Sequence, residues 1–95
     1  MKLRFSRRAH GNLRAISEFY RAENPQAALR VLVAIQRAIE LISARPDIGI
    51  RSAPDPHIRS KLVTRYPYPI YYRLVDGDLE ILHVRHTSRQ DWPQS

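Results

Sequence analysis

The hydrophobic positions change period several times along the chain. At residues 2–6, Leu3 and Phe5 alternate with Lys2 and Arg4, the period-2 pattern of a half-buried strand. Ser6 then suits a helix N-cap. Ala9, Leu13, Ile16 and Tyr20 follow, with Phe19 beside them, at the spacing of one helical face. Gly11 inside this helix costs about 1 kcal/mol relative to alanine. Asn24-Pro25 marks a second start: Asn caps well, and Pro in the first turn loses no needed donor. This helix is expected over Pro25 to Ala44, with Pro46 as its stop. Ala28, Val31, Leu32, Ile35, Ile39 and Ile42 form its buried stripe, while Arg30, Arg37 and Glu40 face water. Leu29, Val33 and Leu41 widen the apolar surface beyond one stripe. Cover is therefore expected from the sheet on one side and from a partner on another. The tight connection makes the two helices an antiparallel hairpin.

Residues 46–57 hold three Pro and one Gly and read as a loop. Over 58–65, Ile58 and Leu62 alternate with Arg59, Lys61, Val63 and Arg65. Tyr68 to Val75 and Asp78 to His86 flank Asp76-Gly77, a type I′ hairpin signal. A two-residue turn pairs Val75 with Asp78, Leu74 with Leu79, Arg73 with Glu80 and Tyr72 with Ile81. Continued regularly, it pairs Tyr71 with Leu82 and Ile70 with His83. The core face would then carry Ile70, Tyr72, Leu74, Leu79, Ile81 and His83. The expected architecture is one α+β domain over residues 1–95. It has two layers, an antiparallel sheet in the order β-α-α-β-β-β with the helical hairpin packed on one face. The first strand is expected to return and pair within that antiparallel sheet.

Charge changes the picture most. Sixteen basic residues, fourteen of them Arg, face nine acidic ones, for a net +7. Arg presents a planar fork suited to phosphate and carboxylate, so a polyanionic partner is expected, a nucleic acid or an acidic protein segment. Arg59, Lys61 and Arg65 share one strand face, and Arg73, Arg85, His86 and Arg89 lie on or just past the neighbouring hairpin. Together they suggest a cationic sheet surface. Tyr66, Tyr68, Tyr71 and Tyr72 could stack on bases, but tyrosines at strand positions more often pack.

Other chemistries lack their parts. With no cysteine there is no thiolate nucleophile and no Cys-based zinc site. His83 and His86, three apart on a strand, point to opposite faces, so no metal is expected. No serine sits in a Gly-x-Ser-x-Gly elbow, and the three glycines form no phosphate loop. No cofactor is expected. No apolar run is long enough to span a bilayer, and the N-terminus lacks an apolar leader segment. The cytoplasm is the expected compartment, without membrane contact. His86, beside Arg85 and Arg89, could act as a general acid or base in metal-free RNA cleavage.

The order of these elements, with Leu3-Arg4-Phe5-Ser6, Asn24-Pro25-x-Ala27-Ala28 and Arg45-Pro46 followed by Gly49, resembles the RelE/ParE superfamily of type II toxins. Tyr66-Pro67-Tyr68-x-Ile70-Tyr71-Tyr72-Arg73 and Leu79-Glu80-Ile81-Leu82-His83-Val84-Arg85-His86-x-x-Arg89 extend the resemblance over nearly the whole chain. The superfamily has an mRNA-cutting RelE branch and a ParE branch that poisons DNA gyrase. The chain resembles the ParE side. Pro69 stands where the ribonuclease branch tends to place an Arg, and the ending His86-Thr87-Ser88-Arg89-Gln90-Asp91-Trp92 is similar to the ParE type. The resemblance implies a gyrase inhibitor that arrests growth and stabilises plasmids. It also implies neutralisation by an acidic antitoxin that folds on binding, and contact with operator DNA only through that antitoxin. Arg59, Lys61, Arg65, Arg73, Arg85, Arg89 and Trp92 are the expected target or antitoxin contacts. The helical hairpin and the tail from Arg85 are the expected places for gyrase. In the alternative, a RelE-like ribosome-dependent mRNA endonuclease, His86, Arg89, Arg65 and Lys61 would be catalytic.

Overall fold

Each helix starts where a side chain can replace a missing backbone partner. In the computed structural model, which describes residues 1–87, β1 (Leu3–Phe5) leads into α1 (Arg7–Arg21) and α2 (Pro25–Ala44). Ser6 caps α1 by accepting from the Ala9 N–H at 3.0 Å. Asn24 caps α2 by accepting from the Ala27 N–H at 2.7 Å, with Pro25 in the first turn. These contacts satisfy donors that helix starts leave unpaired. A single 3-10 turn at Pro46–Ile48 follows, then β2 (Ile50–Arg51), β3 (Arg59–Leu62), β4 (Pro69–Val75) and β5 (Asp78–Val84).

The strands form one sheet in the order β1-β5-β4-β3-β2. The strand arrangement differs from the sequence expectation in two features. The 46–57 segment is not all loop, because β2 pairs antiparallel with β3 through Ile50–Ser60 and Arg51–Arg59. The first strand does not join an antiparallel array; it runs parallel to β5, with Leu3 beside Leu79 and Phe5 beside Ile81. The helical hairpin between them acts as the crossover that parallel neighbours need. The sheet is therefore mixed.

The turn at Asp76 and Gly77 has positive φ at both residues, 52° and 81°, as a type I′ turn requires. The register holds from Val75–Asp78 to Tyr72–Ile81 and then slips at a bulge, so that Tyr71 pairs with His83 and Ile70 with Val84. Leu82 is the extra residue. Val84, not His83, thus completes the core face and is fully buried. His83 lies on the other face, its ring stacked on Tyr71 with centroids 4.3 Å apart and planes 3° apart.

The core lies between the sheet and the hairpin. Ile16, Val31, Ile35, Ile39 and Ile42 from the helices meet Ile70, Tyr72, Leu79, Ile81 and Val84 from the sheet. Among the described residues buried Asn12 is the polar exception. Its Oδ1 accepts from the Val84 N–H at 3.0 Å, while Ser6 Oγ donates to the Leu82 carbonyl. Helix α1 and its cap Ser6 thereby supply the hydrogen bonds that β1, which ends at Phe5, cannot give to the far end of β5.

Candidate functional site: a groove with an apolar floor and a basic rim

Helix α2 is apolar on more than the side facing the sheet. Leu29, Val33, Arg37 and Leu41 recur every four residues, one row along the helix. Leu29 is 62% exposed and Leu41 43% exposed, so the sheet does not cover this row. The row and its neighbour, Arg30–Ala34–Ala38, form one wall of a groove of about 760 Å³. The opposite wall is Lys61 and Leu62 with the turn Thr64, Arg65 and Tyr66. Leu29, Val33, Ala34, Ala38 and Leu41 make the floor apolar. Arg30, Arg37, Lys61 and Arg65 set four cations around it, and among the described residues no carboxylate lines the groove.

Two backbone features belong to this site. Strand β2 pairs only with Arg59 and Ser60, so among the described residues Lys61 and Leu62 have no strand beside them on that edge. Arg65 holds φ at +72°, in a turn closed by Tyr66 N–H to the Val63 carbonyl at 3.3 Å. Glycine is the residue this conformation favours. A charged side chain stands there instead, on the groove rim.

The predicted cationic surface is divided by the fold. Arg59, Lys61 and Val63 do share a face, but it is the face turned to the helices, since Arg59 pairs with buried Tyr72 and Lys61 with buried Ile70. Arg59 donates to the carbonyls of Gly49 at 2.8 Å and Asp47 at 3.3 Å, which fixes the loop after α2. Arg65 is not on the strand at all. Arg73 points away from the helices and pairs with Glu80 at 2.9 Å, as the cross-strand register predicts. Arg85 is exposed just past β5. His86 packs its ring edge-on to Tyr68 at 5.4 Å and does not line the groove that holds Lys61 and Arg65. Arg89 and Trp92 lie outside the described residues.

Tyr68 and Tyr72 are core residues, and Tyr66 meets Tyr20 edge-on at 6.1 Å. Tyr72 is a structural anchor. Its hydroxyl accepts from the Gly49 N–H at 2.8 Å and donates to the Pro46 carbonyl at 2.7 Å. Burial raises its pKa, a rise that the Gly49 contact and Arg59 offset in part. The His83 imidazole is held neutral: burial, then Arg8 and Arg85, lower its pKa from 6.5 to about 4.

The sequence pointed to Leu29, Val33 and Leu41 as partner-facing, and to Lys61 and Arg65 as contacts. It placed Arg30 and Arg37 only in water. Their seven-residue spacing beside the extra apolar row was the signal that set them on the groove. A second cleft of about 430 Å³ lies between β1 and the hairpin, lined mainly by Leu3, Phe5, Leu13, Leu32 and Ile39. Among the described residues no three His, Asp or Glu side chains come together as metal ligands would, and no helix is long and apolar enough to cross a membrane.

Comparison with known proteins agrees with this fold. Residues 3–91 match the family model described as ParE toxin of type II toxin-antitoxin system, parDE. The chain is 33% identical over 93 residues to the Sinorhizobium fredii (strain NBRC 101917 / NGR234) protein named "Putative toxin Y4kP", covering 98% of this chain and 94% of that protein. Its fold is similar to a chain of the structure titled "Chromosomal ParDE TA system from P. aeruginosa", with a TM-score of 0.81 at 23% identity, covering 93% of this chain and 97% of that one. The chain belongs to the ParE toxin family of type II toxin–antitoxin systems.

Proposed function

We propose that this chain is a toxin that inhibits DNA gyrase by binding it, and that an acidic antitoxin segment seated in the α2 groove holds it inactive. The observation that carries the antitoxin part is the groove itself, four cations around an apolar floor with no carboxylate among the described residues. Such a site suits an amphipathic segment whose apolar side covers Leu29 and Leu41 while its acids meet Arg30, Arg37, Lys61 and Arg65. A segment disordered when free gains order only on this surface. Family membership supports the toxin role, and the ParE-type ending and Pro69 support gyrase as target. His86 packs against Tyr68 and does not line the groove that holds Lys61 and Arg65, which favours binding over RNA cleavage.

Purified gyrase provides the test. Supercoiling should fall when the protein is added and recover when the antitoxin is added in equimolar amount. Unaffected supercoiling, or message fragments appearing in a translation reaction, would refute the reading. Arg30→Glu with Arg37→Glu should still inhibit supercoiling but escape the antitoxin.

A further inference from the structure

We propose that the exposed N-terminal half of α1 binds the phosphate backbone of duplex DNA directly. This is a second activity, on the far side of α1 from the core; it departs from the expectation that DNA is reached only through the antitoxin, and it does not rest on the gyrase or antitoxin reading.

Residues Arg7, His10, Gly11 and Arg14 share one side of the helix and all are exposed, while Ala9, Asn12 and Ile16 on the other side are buried. At 1.5 Å per residue Arg7 and Arg14 stand about 10.5 Å apart along the axis. Among the described residues neither has an ion-pair partner, the two ion pairs being Arg4–Asp78 and Arg73–Glu80. The one acid of α1, Glu18, stands a turn further on, between Arg14 and Arg21. The first turn holds two arginines and no acid, where the helix dipole favours negative side chains. An external anion beside that turn would offset the unfavourable placement.

Gly11 is an independent pointer. A Cβ there would meet nothing within 4 Å, so no packing among the described residues requires glycine. Glycine in a helix interior is nonetheless less stable than alanine. Its position between Arg7 and Arg14 bares the helix backbone at the middle of the cationic face, where a bulky partner can come close. Beside the helix start, Arg8 and Arg85 add positive potential, which contributes to keeping His83 neutral.

The chemistry of the face selects its partner. The α2 groove combines cations with apolar floor, as a folding protein segment needs. On α1 no apolar side chain stands among Arg7, His10, Gly11 and Arg14, and the one ring beside them is Phe5 of β1, 5.7 Å from that of His10; a face dominated by charge in this way is the footprint of phosphate binding. The B-form major groove admits a helix, whereas that of A-form RNA is too narrow for one.

Fluorescence anisotropy of the full chain with a labelled 20-bp duplex, from 50 to 200 mM salt, tests this. Wild type should bind at 50 mM. Arg7→Gln with Arg14→Gln should bind at least tenfold more weakly, with a salt slope shallower by about 2, roughly 0.9 per lost phosphate contact. Gly11→Leu should also weaken binding about tenfold while its thermal midpoint, read by circular dichroism, does not fall. Arg30→Gln with Arg37→Gln, in the groove, should stay within twofold of wild type. The proposal fails if wild type does not bind. It also fails if the α1 variants keep wild-type affinity, or if the groove variant loses as much as they do. Displacement by polyglutamate as effective as by unlabelled duplex would assign the face to an acidic protein instead.

Discussion

At the residue scale, three buried contacts decide how the chain closes. Tyr72 joins the loop after α2 to the sheet through two hydrogen bonds of one hydroxyl. Tyr72→Phe should cost about 1–3 kcal/mol in urea unfolding, because Gly49 and Pro46 keep polar groups that lose their partner. Gly49 is fixed by the same contact: a Cβ there would lie 2.4 Å from the Tyr72 hydroxyl and 2.9 Å from the Ser60 carbonyl. Asn12→Ala should cost a similar ~1–3 kcal/mol by stranding the Val84 N–H, and Asn12→Asp, which keeps an acceptor, should recover part of it. His83 sets a pH dependence. Its folded pKa of about 4 lies below the unfolded 6.5, so the unfolded chain takes up a proton that the folded chain refuses. The stability carried by neutral His83 is complete above the unfolded value and is lost as pH falls toward the folded one. The urea midpoint should therefore drop between pH 7 and pH 5. His83→Phe, which keeps a ring against Tyr71, should drop less; equal slopes would contradict the assignment. Asn12 and the Tyr72 bridge were not legible in the sequence, since a polar residue on a helix and a tyrosine on a strand carry no mark of a distant partner.

At the element scale, α2 is the part the sequence described most fully. Its Asn24 cap, its Pro25 start, its end at Ala44 and its excess apolar row all follow from local spacing, and the structure has each of them. The third segment was less legible. Alternation correctly grouped Arg59, Lys61 and Val63, but alternation alone does not say which face the helices cover. Nor did it show that the strand ends at Leu62 and that Arg65 sits in a turn. That turn yields a prediction. A left-handed residue other than glycine costs roughly 1–2 kcal/mol, partly offset for glycine by its greater freedom when unfolded. Arg65→Gly should therefore unfold no more readily than wild type, yet bind the antitoxin more weakly by isothermal calorimetry. Leu29→Asp and Leu41→Asp, at exposed positions, should leave the unfolding midpoint nearly unchanged and also weaken antitoxin binding. Loss of binding only through unfolding would remove the groove from consideration.

At the scale of the whole molecule, a sheet covered on one face by a helical hairpin leaves two separate cationic regions, the α2 groove and the start of α1. Expression of the chain alone should arrest growth, and co-expression of its antitoxin should relieve the arrest; groove variants should arrest growth without relief. What the sequence determined by itself was everything local: the strand and helix periods, both caps, the Asp76-Gly77 turn and its first four pairs, the net charge, and the family resemblance. Each is written in residues that are neighbours along the chain or one turn apart. Only the tertiary structure decided the parallel pairing of β1 with β5, the added strand β2, the bulge that turned His83 outward and Val84 inward, and the union of Arg30 and Arg37 with Lys61 and Arg65. These depend on which surfaces meet after the hairpin folds across the sheet. One extra residue at Leu82 is enough to reverse the faces beyond it, and no short-range pattern records that slip.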